Sequence, residues 1–313
     1  KRFGETTAVD HIDLEIYKGE LFGLLGANGA GKSTIIKMLT TMLTPSDGKA
    51  QVWGHDVIRE RNAVRSSIGV VFQDPAWDGM LTGRENLDFH GRMYGMNGRL
   101  RQERIDEVLK LVDLVDKADI KMEDYSGGMQ RRLEIARGLM HYPHVLFMDE
   151  PTLGLDAQTR RYIWEYIRNM NKEKGVTIIL TTHYMEEADA LCDRVAIIDK
   201  GKVVALGTPS NLKDMIGSDT ISLEVQMGTE ALLPCLQSFP WIKSVAVING
   251  TLELMVDHAQ SRIPEIIQEA NKCGTVITSV GLHKPSLEDV FLKYTGRKIR
   301  DTGNNSTAHR RRR

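Results

Sequence analysis

A glycine-rich segment, Gly26 to Ser33, constrains the fold of this chain more than any other part of the sequence. It reads Gly-Ala-Asn-Gly-Ala-Gly-Lys-Ser and fits the pattern G-x-x-x-x-G-K-[ST]. The apolar run Leu21 to Leu25 before it is typical of a buried strand, and a helix is predicted to begin near Gly31. A strand that passes directly into a helix through such a loop predicts an α/β domain with a mostly parallel sheet.

The residue types of this segment suit the phosphates of a nucleotide. Glycines let the backbone pass close to the phosphates, so that several N–H groups and a helix N-terminus point at the anionic oxygens. We expect Lys32 to reach the β- and γ-phosphates, and the Ser33 hydroxyl to ligate Mg²⁺. The predicted cofactor-binding residues of the loop are Gly26, Asn28, Gly29, Ala30, Gly31, Lys32, Ser33 and Thr34.

Two carboxylates stand at the end of a second predicted strand. The apolar run Val145 to Met148 is followed by Asp149 and Glu150. Because ligands of parallel sheets bind at the carboxyl ends of strands, Asp149 is a predicted Mg²⁺ ligand, and Glu150 is predicted to polarise the attacking water. The alternative for this pair is that both carboxylates cap a following helix.

A second helix start carries the residues of a possible anion site. Ser126, Gly127 and Gly128 precede the predicted helix Gln130 to Met140. Ser126 alone fits an ordinary helix N-cap. Its position upstream of the acidic strand, in a chain with a phosphate-binding loop, favours a second cluster of N–H groups for the same kind of anion.

The element pattern divides the chain into two domains and a tail. Strands alternate with helices up to Gly207, and we predict a first domain over residues 1–217. From Thr220 to Leu282 the order is βαββαβ, with a hairpin signal at Asn249-Gly250, which predicts a small α+β domain over residues 218–296. Residues 297–313 are polar, end in four arginines, and are expected to be disordered.

Composition excludes several classes of protein. The 313 residues include 41 Lys and Arg against 42 Asp and Glu, with mixed signs, so no nucleic-acid footprint follows. No apolar run reaches the roughly 18 residues of a membrane span. Three widely spaced cysteines show no spacing typical of a metal or redox site, and they are interpreted as ordinary reduced residues. Five arginines on predicted helices are assigned to solvent-exposed faces. These residues are Cys192, Cys235 and Cys273, and Arg99, Arg101, Arg104, Arg131 and Arg132.

With these residues the chain resembles the nucleotide-binding subunit of an ATP-binding cassette (ABC) transporter. The family signature LSGGQ appears as Tyr125 to Met129, and it departs at its first and last positions. Four further positions match the glutamine loop, the switch histidine, the D-loop aspartate and the aromatic that stacks on adenine. They are Gln73, His183, Asp156 and Phe3.

Three other segments resemble one branch of that family. They are Leu81 to Leu87, Tyr184 to Ala188, and Pro285 to Leu292. Similar segments occur in ATPase subunits of the daunorubicin-resistance type, which work with ABC-2 permeases. The βαββαβ unit corresponds to an accessory domain of the same branch.

The resemblance implies a P-loop NTPase cassette, with a helical subdomain and a mostly parallel sheet, that hydrolyses ATP. MgATP would be held by Lys32, Ser33, Gln73 and Asp149. The attacking water would be positioned by Glu150 and His183, and Gln73 would contribute to catalysis as well as to metal binding. The signature residues and Asp156 would act across a head-to-tail homodimer.

The implied partner is a separate membrane permease, which would place this chain at the cytoplasmic face of the membrane as a peripheral subunit. The implied process is export of a drug or another lipophilic compound, and no nucleic-acid partner is expected. The alternatives left open are a soluble cassette ATPase acting on DNA or the ribosome, and an ATP sensor without turnover.

Overall fold

The computed structural model describes residues 1–74, 76–217, 219–225, 229–248, 251–257 and 259–296. The chain divides into two compact units, of which the first comprises Lys1–Pro209 and the second begins at Ser210. The boundary predicted after residue 217 stays a prediction. The predicted tail and the turn at Asn249-Gly250 lie outside the described residues. None of the described helices is both long and apolar enough to cross a bilayer.

The first unit is built on a mixed six-stranded sheet. The described strands of the first unit, four of which pair in two small separate sheets, are β1 (Arg2–Phe3), β2 (Thr6–Thr7), β3 (Leu21–Leu25), β4 (Gln51–Val52), β5 (His55–Asp56), β6 (Ile68–Val71), β7 (Val145–Asp149), β8 (Thr177–Thr182), β9 (Arg194–Asp199) and β10 (Lys202–Gly207). The sheet order is β10-β9-β3-β8-β7-β6. All neighbours are parallel except β9 and β10. The mostly parallel sheet is therefore confirmed.

Helices cover this sheet and form a subdomain beside it. The helices of the first unit are α1 (Lys32–Leu39), α2 (Arg61–Ser67), α3 (Gly83–Met93), α4 (Gly98–Leu111), α5 (Gly127–Leu139), α6 (Ala157–Lys174) and α7 (Met185–Leu191), and α8 (Pro209–Asp214) follows across the division. Helices α3, α4 and α5 lie between β6 and β7 in sequence and make up the helical subdomain. Every residue of β3, β7 and β8 is buried, as expected for parallel strands covered on both faces.

Two glycines let the helical subdomain approach the sheet closely. A Cβ atom on Gly69, in β6, would clash with the Gly138 carbonyl oxygen in α5. Position 69 therefore accepts no side chain without displacing the helix from the strand, whereas a Cβ on Gly138 would press on the side chains of Leu146 and Val71. The contact fixes α5, whose first turn carries the signature residues, against the edge strand of the sheet.

Arg131 joins α5 to the strand ends by a set of buried hydrogen bonds. Its guanidinium donates to the carbonyl oxygens of Phe72 (2.7 Å), Asp149 (3.3 Å), Glu150 (3.2 Å) and Pro151 (2.6 Å). It also forms an ion pair of 2.8 Å with Glu134. Its planar fork of five N–H donors suits this role because several carbonyl groups converge on it.

The solvated-face interpretation of the helical arginines is thus wrong for Arg131. It is also wrong for Arg104, which is buried and donates to the Leu139 and Met140 carbonyl oxygens at the end of α5. Arg99 has an exposed side chain, as predicted. The helix pattern marked these positions as polar, but orphan carbonyl groups at strand and helix ends supply partners that the pattern does not reveal.

The second unit has the predicted βαββαβ order followed by a helix. Its elements are β11 (Asp219–Val225), α9 (Thr229–Gln237), β12 (Ile242–Ile248), β13 (Thr251–Val256), α10 (Ala259–Lys272), β14 (Ile277–His283) and α11 (Leu287–Thr295). The four strands pair antiparallel in the order β12-β13-β11-β14. Buried residues of β11, β13, α9 and α10 form its core, and a Ser286–Asp289 capping box starts α11.

The Arg131 hydrogen bonds lead to a stability prediction. Replacing Arg131 with Met removes the donors but keeps much of the apolar stem, and it leaves Glu134 and several carbonyl oxygens buried without their partner. We expect the free energy of unfolding of the first unit to fall by about 3 kcal/mol. Urea unfolding of the full chain, followed by circular dichroism, measures the change.

The matched control is Arg161→Met, because Arg161 is an exposed residue of α6. A surface substitution of this kind is expected to change the unfolding free energy by no more than about 0.5 kcal/mol. Equal losses in the two variants would contradict the role assigned to the Arg131 hydrogen bonds.

Candidate functional site

The phosphate-binding loop is held between β3 and α1 by close backbone contacts. A Cβ atom on Gly26 would clash with the Ile198 carbonyl oxygen, near the carboxyl end of β9. Gly31 has a φ of 111°, and its Cβ would lie 2.5 Å from the Ala8 carbonyl oxygen. Glycine is therefore required at both positions by packing within the chain, in addition to the approach of a phosphate.

The ammonium group of Lys32 is buried beneath the loop backbone. The Lys32 side chain is buried, and its Nζ donates to the carbonyl oxygens of Gly26 (2.8 Å) and Ala27 (3.1 Å). Burial lowers the pKa of Lys32, against the opposing attraction of Glu150 and Asp149. Of the remaining predicted loop residues, Asn28 and Gly29 are exposed, Ala30 is buried, and Ser33 and Thr34 are half-buried.

Three oxygen groups meet at the carboxyl ends of β7 and β8. The Ser33 hydroxyl donates to Asp149 Oδ1 at 3.0 Å. The Thr181 hydroxyl donates to the same carboxylate oxygen. Hydroxyl and carboxylate oxygens are the donors that Mg²⁺ prefers, so this part of the site fits the ion.

Gln73 lies at the same edge of the sheet. It follows β6 by two residues, and β6 pairs in parallel with β7, with Val71 opposite Met148. Its side chain is exposed. The topology thus brings the predicted glutamine to the edge that carries Asp149.

Glu150 sits in a strained turn immediately after β7. Its φ of 49° lies in the left-handed region, which is unfavourable for a residue with a Cβ. The Glu150 N–H donates to the carbonyl oxygen (3.2 Å) and the hydroxyl oxygen (3.0 Å) of Thr181, and these bonds hold the turn. The turn directs the carboxylate toward Lys32, whose Nζ is 3.8 Å from Glu150 Oε1.

His183 is the other partner of that carboxylate. Its Nδ1 lies 3.1 Å from Glu150 Oε1, directly after β8. Burial raises the pKa of Glu150, but the hydrogen bond and charge of His183, together with Lys32, outweigh it and lower the pKa overall. The Glu150 carboxylate is therefore ionised at neutral pH, which is the form that accepts a proton from water.

The signature residues form the exposed start of α5. Ser126 is the N-cap, and its Oγ accepts from the Met129 N–H at 3.3 Å. Ser126 and Gly127 are exposed, whereas a Cβ atom on Gly128 would lie 2.7 Å from Thr159 Cγ2 in α6. Both the N-cap interpretation and the predicted array of N–H groups are compatible with this geometry.

Asp156 caps α6 with its own carboxylate. Its Oδ1 accepts from the N–H groups of Gln158 and Thr159, both at 3.0 Å, and its Oδ2 accepts from the Thr159 hydroxyl at 2.6 Å. These bonds, with the Thr159 hydroxyl first among them, lower the pKa of Asp156. The cap places the D-loop beside the signature, because Thr159 contacts Gly128. A role for Asp156 in nucleotide binding stays a prediction.

Phe3 lies on a short hairpin beside the phosphate-binding loop. Strands β1 and β2 pair Phe3 with Thr6, and the chain then passes to Ala8, whose carbonyl oxygen lies against Gly31. The Phe3 ring is 49% exposed and has Lys1 Nζ 5.1 Å from its centroid. A base could therefore stack on it, and this assignment also stays a prediction.

Three residues that support this site were given no role in it by the sequence alone. Thr181 bonds to both Asp149 and Glu150, and Arg131 fixes the backbone of the same turn. Glu187, on α7, accepts from the Thr152 hydroxyl at 2.7 Å and from Trp164 Nε1 at 2.9 Å, and burial raises its pKa. The only available signal was proximity in sequence to the predicted motifs.

Comparison with known proteins identifies both units. Residues 9–153 match the model of the ABC transporter family, and residues 207–295 match the C-terminal domain of DrrA1-3-like ATP-binding proteins. The linearmycin resistance ATP-binding protein LnrL of Bacillus subtilis (strain 168) is 41% identical over 306 residues, covering 96% of this chain and 97% of the relative. The daunorubicin resistance ATP-binding protein DrrA2 of Streptomyces coeruleorubidus is 40% identical over 314 residues, covering 96% and 94%.

A solved structure supports the fold. The ATP-binding cassette MJ0796, in a dimeric post-hydrolysis state bound to ADP and Pi, superposes with a TM-score of 0.59 at 29% identity, covering 66% of this chain and 94% of that chain. The resemblance inferred from the motifs is confirmed, as is the expectation of an ATP-hydrolysing enzyme. The chain belongs to the ABC transporter family, as an ATP-binding and ATP-hydrolysing subunit of the daunorubicin-resistance exporter type.

Proposed function

We propose that this protein is the motor subunit of an ABC-2 type exporter, and that it converts MgATP hydrolysis into movement of a separate membrane permease. The observation that carries the proposal is the convergence of Lys32, Ser33, Asp149, Glu150 and His183 at one edge of the sheet. These side chains supply phosphate binding, an oxygen site for the ion and a base for water within one small volume.

The chemistry of the site is positioning and electrostatic stabilisation. Lys32 and the loop N–H groups attract the β- and γ-phosphates, and Mg²⁺, held by Ser33 and Asp149, would neutralise phosphate charge. Glu150 accepts a proton from the attacking water, and His183 orients that carboxylate. Gln73 stands at the same edge and would contact the ion and the water.

We propose that the site is completed by a second copy of the chain. Ser126 and Gly127 are exposed at the first turn of α5, where unpaired N–H groups and the helix dipole favour an anion. A head-to-tail dimer would bring this turn over the γ-phosphate bound by the partner subunit. The similar cassette MJ0796, which is dimeric in a post-hydrolysis state bound to ADP and Pi, supports the proposal of a dimer.

The permease is proposed to dock in a cleft beside Gln73. The cleft has a volume of about 830 Å³ and lies where β6, the segment after Gln73, and α3 meet. Exposed apolar side chains surround it, and such a patch is typical of a protein interface. Its lining includes Phe72, Trp77, Phe89, Met93, Tyr94 and Arg137.

This partner would place the protein at the cytoplasmic face of the membrane as a peripheral subunit. The names of the relatives LnrL and DrrA2 refer to resistance to linearmycin and daunorubicin. By analogy, the proposed cargo is a drug or another lipophilic compound. The cargo would contact the permease rather than the residues described here.

A pair of variants tests whether two chains share each site. Glu150→Gln removes the base but keeps the signature, whereas Ser126→Asp keeps a helix cap and places a negative charge where the γ-phosphate would lie. Each variant alone is expected to lose at least about 100-fold in ATPase rate. A heterodimer of the two, purified through two different tags, would contain one intact site and recover measurable ATPase activity.

The exposed Glu173→Gln substitution serves as the control and is expected to leave the ATPase rate unchanged. Heterodimers no more active than the two parents would contradict a site formed in trans. Full activity of Glu150→Gln alone would contradict the role of that carboxylate.

The cleft leads to a prediction about the membrane partner. Phe89→Glu replaces a phenyl ring, which belongs to a residue that is 60% exposed in the cleft, with a charged carboxylate. We expect this variant to lose the permease on co-purification from detergent-solubilised native membranes, while its ATPase rate without the permease stays within about twofold of wild type. Docking depends on apolar contact at the cleft, whereas the nucleotide site lies at the strand ends.

Val115→Glu is the matched control, because Val115 is 46% exposed in the helical subdomain and does not line the cleft. It should retain the permease. If wild type co-purifies with ribosomes or DNA-bound proteins and with no membrane subunit, the exporter proposal is wrong and the soluble cassette ATPase is favoured.

A further inference from the structure

Two cysteines that are distant in sequence meet in the second unit. Cys235 lies in the last turn of α9, and Cys273 directly follows α10. Their Sγ atoms are 2.8 Å apart, and both are thiols. Both residues are partly exposed, so small solutes in solution reach them.

We propose that Cys235 and Cys273 form a reversible oxidation site, at which a low-molecular-weight disulfide converts the two thiols into an intramolecular disulfide. The proposal concerns the second unit alone and does not depend on the proposed transport function. The sequence interpretation, which treated these residues as ordinary reduced cysteines, could not detect a pair separated by a strand hairpin and a helix.

The distance between the two sulfurs favours a disulfide over a metal ion. Glu269 is the third potential ligand, and its carboxylate lies within 4.8 Å of both sulfur atoms. A tetrahedral zinc ion with Zn–S bonds of about 2.3 Å would hold two thiolates about 3.8 Å apart. A disulfide requires about 2.04 Å, so the observed pair has only a short distance to close.

The charge around the pair also disfavours a cation. Glu269 already forms an ion pair of 3.0 Å with Lys272, which a metal would have to displace. The hydrogen bond between the sulfurs, followed by burial and the charges of Cys235 and Glu269, raises the pKa of Cys273 to about 11. Cys273 is therefore a protonated thiol at neutral pH rather than a thiolate ready to bind a metal.

The reaction is an ordinary two-step exchange. The Cys235 thiolate attacks one sulfur of the small disulfide, a mixed disulfide forms on Cys235, and the first small thiol leaves. Cys273 then loses its proton, attacks Cys235 Sγ and releases the second small thiol. Two protein thiols are oxidised and one small disulfide is reduced to two thiols. The hydrogen bond that raises the pKa of Cys273 no longer opposes its ionisation once Cys235 is in the mixed disulfide.

The site would respond to the redox state of its surroundings. In a reducing compartment both thiols stay reduced, and the bond forms when oxidised low-molecular-weight thiols accumulate. The disulfide would join the end of α9 to the end of α10. These helices pack on each other, so the link would restrict their separation without rearranging the core.

The test uses the full chain and oxidised glutathione. The reduced protein is incubated with oxidised glutathione, remaining thiols are blocked with iodoacetamide under denaturing conditions, and peptides are mapped by mass spectrometry. We expect a linked pair of peptides containing Cys235 and Cys273, with Cys192 alkylated. In a parallel sample that is reduced with dithiothreitol before blocking, all three cysteines should be alkylated. Cys192 is excluded from the exchange because it is buried and burial raises its pKa.

Three variants separate the alternatives. Cys273→Ser should stop at a glutathione adduct on Cys235, and Cys192→Ser should form the linked pair as wild type does. Glu269→Gln should also form it, since the carboxylate takes no part in the exchange. The proposal is overturned if wild type yields only glutathione adducts or disulfides between chains. It is equally overturned if wild type retains one Zn²⁺ per chain and Glu269→Gln loses it.

Discussion

The carboxylate of Asp149 joins the three elements on which the nucleotide site depends. One of its oxygens accepts hydrogen bonds from Ser33 at the start of α1 and from Thr181 near the end of β8, while its backbone ends β7. The parallel order of β3, β8 and β7 brings these groups to one edge. Without that register, the Gly26 to Ser33 loop, the carboxylates at the end of β7, and His183 after β8 would not lie together.

Burying so many polar groups at one edge is costly unless each group has a partner. Lys32 and Glu150 lie close enough to offset each other's charge, and His183 adds a second contact to the carboxylate. Behind them, the Arg131 guanidinium binds the carbonyl oxygens of the strained turn at Glu150. The strained conformation of Glu150 is thus maintained by hydrogen bonds to Thr181 of β8 and from Arg131 of α5.

Local rules predicted much of this arrangement. The phosphate-binding loop requires a strand before it and a helix after it, so its position fixed the sheet edge at which Asp149 and Glu150 were then placed. The order of strand and helix segments, with the hairpin signal at Asn249-Gly250, likewise predicted the βαββαβ order, because these are local signals. The glycines were explained only in part, since the contact of Gly26 with β9 and that of Gly31 with Ala8 depend on distant segments.

Contacts between distant segments could not be predicted in this way. Arg131 follows the signature by a few residues and has the pattern of a surface arginine, yet the carbonyl groups it binds come from two distant segments, one after β6 and one at the end of β7. Cys235 and Cys273 show no spacing motif because the packing of two helices, and not the sequence between them, brings them together. In both cases the deciding partner is a backbone or side chain whose position only the tertiary structure gives.

The close contact of Gly69 with Gly138 has a mechanical consequence. Backbone touches backbone there, with no side chain able to change its rotamer and absorb a displacement. A displacement of strand β6 along its contact with α5 would therefore have to move the carboxyl-terminal turn of that helix as well, because neither backbone can yield at the point of contact.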